Sequence, residues 1–271
     1  MAKNEFLEKL RAGDVLLGLG NMYPAAGIIE GMCAGWDYAW IDAQHGQMSY
    51  DSALAAMRAA DVIGVSTVLR VPGHESGILG PFADLSPSAI MVPMVNTAQQ
   101  ADAVVRGLRF PPRGERSYGG RRVIDLGGRE YYREQELGII AQIETVEAAQ
   151  NADSIIRTDG IDLLFFGPDD MKVRLGLPIN TKPSENDELA GAMRKTAEAA
   201  RGAGKFCGCV GADPATARMA VEMGYQMLVA GGDIVFLRTL AAQRLEEIRN
   251  AVKGKKTDAA SPQSGGGLYG G

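Results

Sequence analysis

The 271-residue sequence predicts an α/β protein built as a single (β/α)8 barrel, and three observations carry that prediction. Eight short apolar runs alternate with segments of helical spacing over about 250 residues, which is the number and size that this barrel requires. The runs are apolar almost throughout, as in parallel strands covered on both faces. A doubly wound open sheet is the alternative, because periodicity does not show whether a sheet closes.

The predicted strands and helices follow one another along the chain. The strands are expected at residues 14–22, 38–43, 66–71, 89–95, 138–143, 161–166, 205–210 and 225–230. The helices are expected at residues 49–60, 97–108, 146–156, 187–202, 214–223 and 235–253. Ser49, Thr97 and Asp213 stand at helix starts, where a side-chain oxygen caps free N–H groups. Glycines such as Gly224 stand just before the next strand, where a left-handed residue ends a helix.

The domain organisation is expected to be simple. Residues 1–252 form one barrel domain, and residues 253–271, ending SPQSGGGLYGG, have the composition of a disordered tail. The one long irregular stretch is residues 110–135, rich in Gly, Pro and Arg. Irregular segments beyond roughly 15 residues are uncommon unless they are functional or disordered. The arginines suit an anionic substrate, with solvated surface charge as the alternative.

Composition and charge exclude several classes of protein. Hydrophobic residues make up 46% and charged residues 23%, which excludes a disordered or fibrous chain. The net charge of −5 argues against a nucleic-acid partner. The apolar runs fall short of the ~20 residues that a membrane span needs. The first residues lack the apolar core of a secretory signal, which predicts a cytoplasmic protein. Three cysteines without CxxC spacing argue against disulfides and structural zinc.

Polar residues that follow the predicted strands are the candidates for chemistry, because a parallel α/β barrel builds its active site at the carboxyl ends of its strands. A guanidinium or carboxylate in such apolar surroundings is costly unless it is paired or binds a ligand. The candidates after the second, third, fifth and sixth strands are Asp42, His45, Arg70, Gln142, Glu144, Gly167, Pro168, Asp169 and Asp170.

Two of these candidates are carboxylates that can share a cation. Glu144 and Asp170 follow neighbouring strands, and two carboxylates with open positions form a hard-ligand site. Such a site suits Mg²⁺ or Mn²⁺, with Co²⁺ or Zn²⁺ as alternatives. Gln142 lies on the same strand face as Glu144 and can orient a ligand or substrate oxygen. The competing structural interpretation is that Glu144 caps the next helix and pairs with Arg70, while Asp170 caps its own helix.

The sequence offers few residues that could act as a catalytic base or as a nucleophile. The sequence has two histidines, so an imidazole base must be His45 or His74. His45 is better placed, three residues after Asp42 at a strand end, although a purely structural histidine is the alternative. No lysine stands where a Schiff base would form, since Lys205 begins a strand and Lys172 lies in a helix-like segment. Carbonyl chemistry here would therefore be assisted by a metal.

An ordered set of these residues resembles the HpcH/HpaI family of metal-dependent pyruvate aldolases. The resemblance runs from about residue 18 to residue 238 through six motifs. They are Ile41-Asp42-x-x-His45, Arg70, Val92-Pro93-Met94-Val95, Phe110-Pro111-Pro112-x-Gly114-x-Arg116, Gln142-Ile143-Glu144-Thr145 and Gly167-Pro168-x-Asp170. The resemblance implies a barrel assembled as a hexamer, a trimer of dimers, with the last helix exchanged between subunits. It also implies reversible cleavage of a 4-hydroxy-2-oxo acid to pyruvate and an aldehyde through a metal-stabilised enolate.

The resemblance assigns Glu144 and Asp170 as ligands of a divalent cation, Mg²⁺ or Mn²⁺ first and Co²⁺ or Zn²⁺ as alternatives. It places Gln142 beside them as a substrate-binding residue. Main-chain amides near Gly167 and Pro168 would bind the carboxylate of the 2-oxo acid, with Asp169 next to them. The extra carboxylate of Asp169 departs from the small residue that is common in the family, which puts the choice of metal in doubt.

The resemblance also assigns the catalytic residues. Arg70 would bind the substrate and stabilise the enolate oxygen. His45 would be the base, acting through a water molecule. Asp42 would support it, together with Asp84 from an adjacent subunit. Gln44 stands where the family often has an acid.

Alternatives remain open for the aldehyde acceptor and for the class of reaction. Arg121 and Arg122, in the irregular stretch, suggest an acidic semialdehyde as the aldehyde partner. An acyl-CoA lyase of the malyl or citramalyl type would use the same barrel, although no dedicated basic segment for the nucleotide is evident. A non-catalytic oligomeric binding protein is the third hypothesis. The expected partners are thus a small 2-oxo acid, an aldehyde and further copies of the chain.

Overall fold

The computed structural model describes residues 4–211 and 213–255, and in that part of the chain eight parallel strands form a closed barrel. The strands pair in chain order, and β8 pairs with β1 to close the sheet. They are β1 (Leu16–Asn21), β2 (Tyr38–Asp42), β3 (Ser66–Arg70), β4 (Ala89–Val92), β5 (Gly138–Ile143), β6 (Leu163–Phe166), β7 (Phe206–Val210) and β8 (Met227–Gly232). The predicted barrel is confirmed, and the open sheet is wrong.

The described residues also form α-helices. They are α1 (Glu5–Ala12), α2 (Ala26–Met32), α3 (Tyr50–Ile63), α4 (Ser76–Ala83), α5 (Ala98–Leu108), α6 (Arg121–Gly127), α7 (Tyr131–Glu134), α8 (Val146–Gln150), α9 (Ala152–Ile156), α10 (Pro168–Arg174), α11 (Asp187–Gly202), α12 (Pro214–Met223) and α13 (Asp233–Val252). The predicted capping residues are confirmed: the side chains of Ser49, Thr97 and Asp213 accept hydrogen bonds from the first turns of α3, α5 and α12. Gly224 ends α12 in the left-handed conformation.

Several short helices were not expected. The stretch 110–135 was predicted to be irregular, yet it contains α6 and α7, and the expected helix 146–156 is broken at Asn151 into α8 and α9. Helices α1, α2, α4 and α10 have no counterpart among the predicted helices. They span only seven or eight residues each, too few for a helical period to stand out from composition.

The barrel interior determines which end is open. Side chains from all eight strands fill the barrel interior or pack against it. Helix α1 adds Phe6, Leu7 and Leu10 to this interior cluster. The Phe6 ring meets the edge of the Tyr38 ring at 5.5 Å. Gly18 permits this packing, because a Cβ there would lie 2.1 Å from the Tyr38 ring. Since Tyr38 begins β2, α1 covers the amino-terminal end of the barrel and leaves the carboxyl ends of the strands for the site.

Contacts within the chain separate residues 1–234 from a second unit that begins at Val235, whereas residues 1–252 were expected to form one domain. The second unit contains most of α13, whose apolar side chains, Phe236, Leu240 and Ile248 among them, are exposed. The expected disordered tail lies outside the described residues from position 256 onward. No helix in the described part of the chain combines the length and apolar content needed to cross a membrane. Cys33, Cys207 and Cys209 are free and buried.

Candidate active site

The ends of β2 and β3 carry a buried ion pair. The two strands are in register with Asp42 opposite Arg70. Arg70 Nε donates to Asp42 Oδ1 at 2.8 Å, and Nη2 donates to Oδ2 at 2.6 Å. Asp42 is fully buried, and the Arg70 guanidinium lies 4.6 Å from the centre of the Trp40 ring. A bidentate pair of this kind fixes the plane of the guanidinium and leaves Nη1 outside the pair with Asp42.

Asp42 also shapes the loop that follows β2. Its Oδ1 accepts hydrogen bonds from the main-chain N–H groups of Gln44, at 3.0 Å, and His45, at 3.3 Å. The His45 side chain is exposed and forms no hydrogen bond within the described residues. Asp42 therefore positions His45 through the main chain, while its carboxylate is held by Arg70 and does not contact the imidazole.

Glu144 lies just beyond β5 and is 1% exposed. Its Oε1 accepts the main-chain N–H of Met94 at 2.8 Å. Met94 has a φ of 58°, a left-handed conformation that is rare for a residue with a side chain, and such strain concentrates at functional sites. The other oxygen of Glu144, Oε2, is buried without a hydrogen-bond partner in the described chain.

Gly167 allows three groups to meet at this point. Its main-chain N–H donates to Ile143 O at 2.9 Å, which continues the pairing of β5 and β6 beyond their ends. A Cβ on Gly167 would lie 2.8 Å from Gln142 Nε2 and 3.0 Å from Glu144 Oε2. Gln142 is also buried, and its Oε1 has no partner within the described residues. The side chains of Gln142 and Glu144 thus flank a position that only glycine leaves open, and each carries a buried acceptor oxygen without a partner in the described chain.

Asp170, in the first turn of α10, adds a second carboxylate to this position. The pKa of Glu144 is raised to about 7, chiefly by burial and in addition by the charge of Asp170, against the Met94 N–H and the charges of Arg70 and Arg174. Buried acceptors and two facing carboxylates without a bound proton or cation are unfavourable. The arrangement therefore suits a cation that is held by oxygen ligands.

The contacts do not support the alternative in which Glu144 and Asp170 cap helices and Glu144 pairs with Arg70. Thr145, not Glu144, caps α8, since its hydroxyl accepts from Ala148 N at 2.9 Å. Arg70 pairs with Asp42, and Asp170 makes no capping hydrogen bond at the start of α10. Among the residues that the structure describes, no group of three or more His, Cys, Asp or Glu side chains comes together as metal ligands, so the candidate site has two acidic residues.

Asp169 points away from this pair of carboxylates. Its side chain is 71% exposed, and its Oδ1 accepts from Lys172 Nζ at 3.0 Å. Lys172 also donates to Ile179 O at 2.9 Å. Asp169 and Lys172, together with Pro168, line a pocket of about 220 Å³ beside β6 and β7. The extra carboxylate is therefore neutralised by a lysine in the same helix.

Asp84 follows α4 and is separate from this cluster in its own chain. It accepts from Arg116 Nη2 at 2.6 Å, and the Arg116 side chain is 1% exposed. Gly120 packs directly on it, since a Cβ there would lie 2.2 Å from Asp84 Cγ. None of the Asp84 hydrogen bonds in the described residues reaches His45 or Arg70. Arg121 and Arg122, the two arginines expected near the acceptor, pair with Asp125 and Asp61.

Three features of the site were not predicted from the sequence, although Gly167 itself was among the predicted residues. Trp40 stacks on Arg70, Met94 supplies a main-chain N–H to Glu144, and Gly167 provides space rather than an amide alone. The register of β2 and β3 could have indicated Trp40, because it lies two residues before Asp42 on the same strand face. Nothing in the sequence indicated the left-handed conformation at Met94.

Comparisons with known proteins give a consistent result. The HpcH/HpaI aldolase/citrate lyase family model matches residues 25–239. A 4-hydroxy-2-oxovalerate aldolase from Novosphingobium aromaticivorans is 42% identical over 180 residues, covering 64% of this chain and 68% of that protein. A hydroxypyruvate/pyruvate aldolase from Cupriavidus necator is 32% identical over 270 residues, covering 96% of this chain and 99% of that protein.

A solved structure agrees with the sequence relatives. The crystal structure of an HpcH/HpaI aldolase/citrate lyase family protein from Burkholderia cenocepacia superposes with a TM-score of 0.84 at 28% identity. The match covers 91% of this chain and all of that chain. The similarity therefore extends over the barrel and its order of strands.

Proposed function

Because the chain belongs to the HpcH/HpaI aldolase/citrate lyase family, we propose that Glu144 and Asp170 are the metal ligands of a class II pyruvate aldolase. The chain is a carbon–carbon lyase of the aldolase type and acts on small 2-oxo acids. The reaction is the reversible cleavage of a 4-hydroxy-2-oxo acid to pyruvate and an aldehyde. One observation carries the assignment of the site: Glu144 Oε2, beside Gly167, and Oε1 of the neighbouring Gln142 are both buried and have no partner within the described residues.

These residues fit a divalent cation. Carboxylate and amide oxygens are hard ligands of the kind that Mg²⁺ and Mn²⁺ prefer. A cation would neutralise the repulsion between Glu144 and Asp170, which contributes to the raised pKa of Glu144. When bound, it would supply Lewis-acid polarisation of the 2-oxo group of the substrate. Mg²⁺ or Mn²⁺ is the first expectation, with Co²⁺ and Zn²⁺ as alternatives.

Arg70 stabilises the negative charge that develops on the 2-oxo oxygen as the carbon–carbon bond breaks. Asp42 holds two of its nitrogens, so the guanidinium does not reorganise when charge develops, and this preorganisation is the main source of electrostatic catalysis. Trp40 shields one face of the guanidinium from water. The main-chain N–H of Asp169, in the first turn of α10, binds the carboxylate of the 2-oxo acid, which Gln142 helps to orient. Gly167 and Pro168 position this N–H, because the Gly167 N–H donates to Ile143 O and Pro168 has no N–H.

His45 takes the proton of the 4-hydroxyl group through a water molecule during cleavage. The side chain is exposed at the barrel mouth, and Asp42 fixes its main chain. Imidazole is suited to this exchange because its ordinary pKa lies near 6.5. Asp84 of an adjacent subunit completes the base, in an assembly of the trimer-of-dimers type. In its own chain Asp84 is held rigidly by Arg116, as a residue presented to a neighbour would be.

Removal of divalent cations with a chelator is expected to abolish pyruvate release from 4-hydroxy-2-oxo acids, because substrate polarisation is lost. Addition of Mg²⁺, Mn²⁺ or Co²⁺ should restore turnover, measured as pyruvate formed in a coupled assay. Borohydride added with pyruvate should leave activity unchanged, since no lysine forms a Schiff base here. Full activity in the chelator, or a preference for malyl-type thioesters over free oxo acids, would contradict the assignment.

The role of Asp84 can be tested in trans. His45→Ala and Asp84→Asn are each expected to have low activity when expressed alone. When the two variants are co-expressed, random pairing in a two-fold symmetric dimer rebuilds about a quarter of the sites with both residues intact. Recovery of about a quarter of wild-type turnover is therefore expected. If the mixed protein is no more active than the single variants, Asp84 does not act across a subunit boundary.

A further inference from the structure

A pocket of about 220 Å³ lies in the segment between α5 and β5 and has an unusual lining. Three arginines, Arg109, Arg113 and Arg133, contribute to it, together with Gln135 and the rings of Phe110 and Tyr132. Among the residues that the structure describes, no carboxylate lines it. Sites for drug-sized ligands occupy roughly 300 to 1,000 Å³, so this pocket suits a smaller ligand.

Two of the lining residues have donors without acceptors. Arg109 Nε and Gln135 Nε2 are both buried and have no hydrogen-bond partner within the described chain. The orientation of the Gln135 amide is fixed, because Oε1 accepts from Arg116 Nη1 at 2.9 Å and an arginine can only donate. Both unpaired groups thus call for an acceptor, and a buried donor left unpaired costs about 1–3 kcal/mol.

The positive charge at this pocket is incompletely balanced. The carboxylate of Asp162 lies 3.8 Å from Arg109 Nη2, beyond hydrogen-bond distance. Burial lowers the pKa of Arg109, and the neighbouring charges of Arg113 and Arg116 lower it further, against Asp162 and Asp159. The partners of the other two arginines, Asp159 and Glu130, lie outside the pocket lining. An anion in the pocket would relieve the repulsion among the guanidinium groups.

The pocket is remote from the catalytic carboxylates. Arg109 directly follows α5, whose chain returns toward the start of β5, and Asp162 directly precedes β6. Both positions belong to the amino-terminal end of the barrel, whereas Glu144 and Gly167 follow the carboxyl ends of β5 and β6. A ligand here would not compete with the 2-oxo acid for its groups.

We propose that this pocket, lined by Arg109, Phe110, Arg113, Arg133 and Gln135, is a binding site for a phosphoryl group. A phosphoryl dianion has several acceptor oxygens for the donors of three arginines and an amide, and its charge matches a cluster of guanidinium groups better than a monocarboxylate does. The Phe110 and Tyr132 rings add an apolar wall for the atoms that carry the group. Free phosphate and a small phosphomonoester share this chemistry.

Calorimetric titration of the metal-loaded protein with inorganic phosphate and with glycerol 2-phosphate, at constant ionic strength, tests the proposal. Saturable binding of at least one probe is expected, and tighter binding of the ester would identify a phosphomonoester as the ligand. Arg109→Gln and Arg133→Gln should each weaken binding by about tenfold or more, the loss expected of a charge-assisted hydrogen bond. Arg133 is exposed, so its substitution leaves the fold intact.

Two control variants show whether phosphate binding depends on this pocket or on arginines elsewhere in the chain. Arg121→Gln lies in the same segment, is exposed and does not line the pocket, so binding should be unchanged. Arg70→Ala should also retain binding, because the catalytic site is not involved. The absence of saturable binding, loss of binding in Arg70→Ala, or equal binding in wild type and Arg133→Gln would overturn the proposal. Malonate binding as tightly as phosphate would overturn the phosphoryl assignment.

Discussion

Arg70→Ala is expected to reduce kcat/KM for retro-aldol cleavage by about a thousandfold, the upper loss found when a single oxyanion-stabilising donor is removed. The guanidinium is a fixed cation at the carboxyl end of β3, and its two bonds to Asp42 preorganise it. A steady-state assay of pyruvate release, with metal saturating and the substrate concentration varied around and below KM, measures this loss.

The same substitution leaves the buried Asp42 carboxylate without a countercharge, which costs about 3–5 kcal/mol of folding free energy. Loss of activity must therefore be separated from loss of fold. Arg70→Met combined with Asp42→Asn removes both charges, and we expect it to regain most of the wild-type melting temperature but none of the activity. Arg70→Lys keeps the charge without the bidentate pair and should be intermediate in activity. Wild-type turnover in folded Arg70→Ala would remove Arg70 from the mechanism.

The sequence predicted the barrel well because the evidence for it is local and repeated. Each strand is a largely apolar run, and the predicted ranges of β3 and β5 agree with the observed ones to within a residue. The structure of the loops was harder to predict from the sequence. Helices α6 and α7 are seven and four residues long and include Gly127, so the sequence between Phe110 and Gln135 carries no helical period. Their packing around Tyr131 is a tertiary effect.

The site was predicted in part for a similar reason. Strand alternation placed Gln142 and Glu144 on one face, and the strand order placed Asp170 beside them. Asp169 was expected next to the substrate, yet its side chain turns to Lys172, because successive residues in a helix point in different directions. The sequence alone does not show in which direction the Asp169 side chain points. The unpaired oxygen of Glu144 is likewise visible only once Met94 and Gly167 are placed around it.

Glu144→Gln is expected to have opposite effects on stability and on activity. The pKa of Glu144 is raised from its ordinary value of 4.5 to about 7, chiefly by burial. Below about pH 4.5 both the folded and unfolded states are protonated, and the group has no effect on stability. As the pH rises toward 7, the unfolded state releases its proton while the folded state retains it, so the metal-free protein loses stability, by about 3 kcal/mol in all.

A neutral glutamine at position 144 removes this loss of stability at higher pH. Its amide oxygen can still accept the Met94 N–H, and its NH₂ group can donate toward the carboxylate of Asp170. At pH 8 without metal, Glu144→Gln should therefore melt at a higher temperature than wild type, and at pH 5 the two should melt together. Activity should fall by about a thousandfold, since a ligand of the metal is lost.

Metal titration distinguishes this explanation from a general effect of removing charge. Mn²⁺ should raise the melting temperature of wild type at pH 8 but not that of Glu144→Gln, because a ligand that binds only the folded state stabilises it. Glu147→Gln, the same change at an exposed position of α8, should behave as wild type in every assay. If Glu144→Gln were destabilised at pH 8 and still responded to Mn²⁺, the carboxylate would be a structural group and the cation would be bound elsewhere.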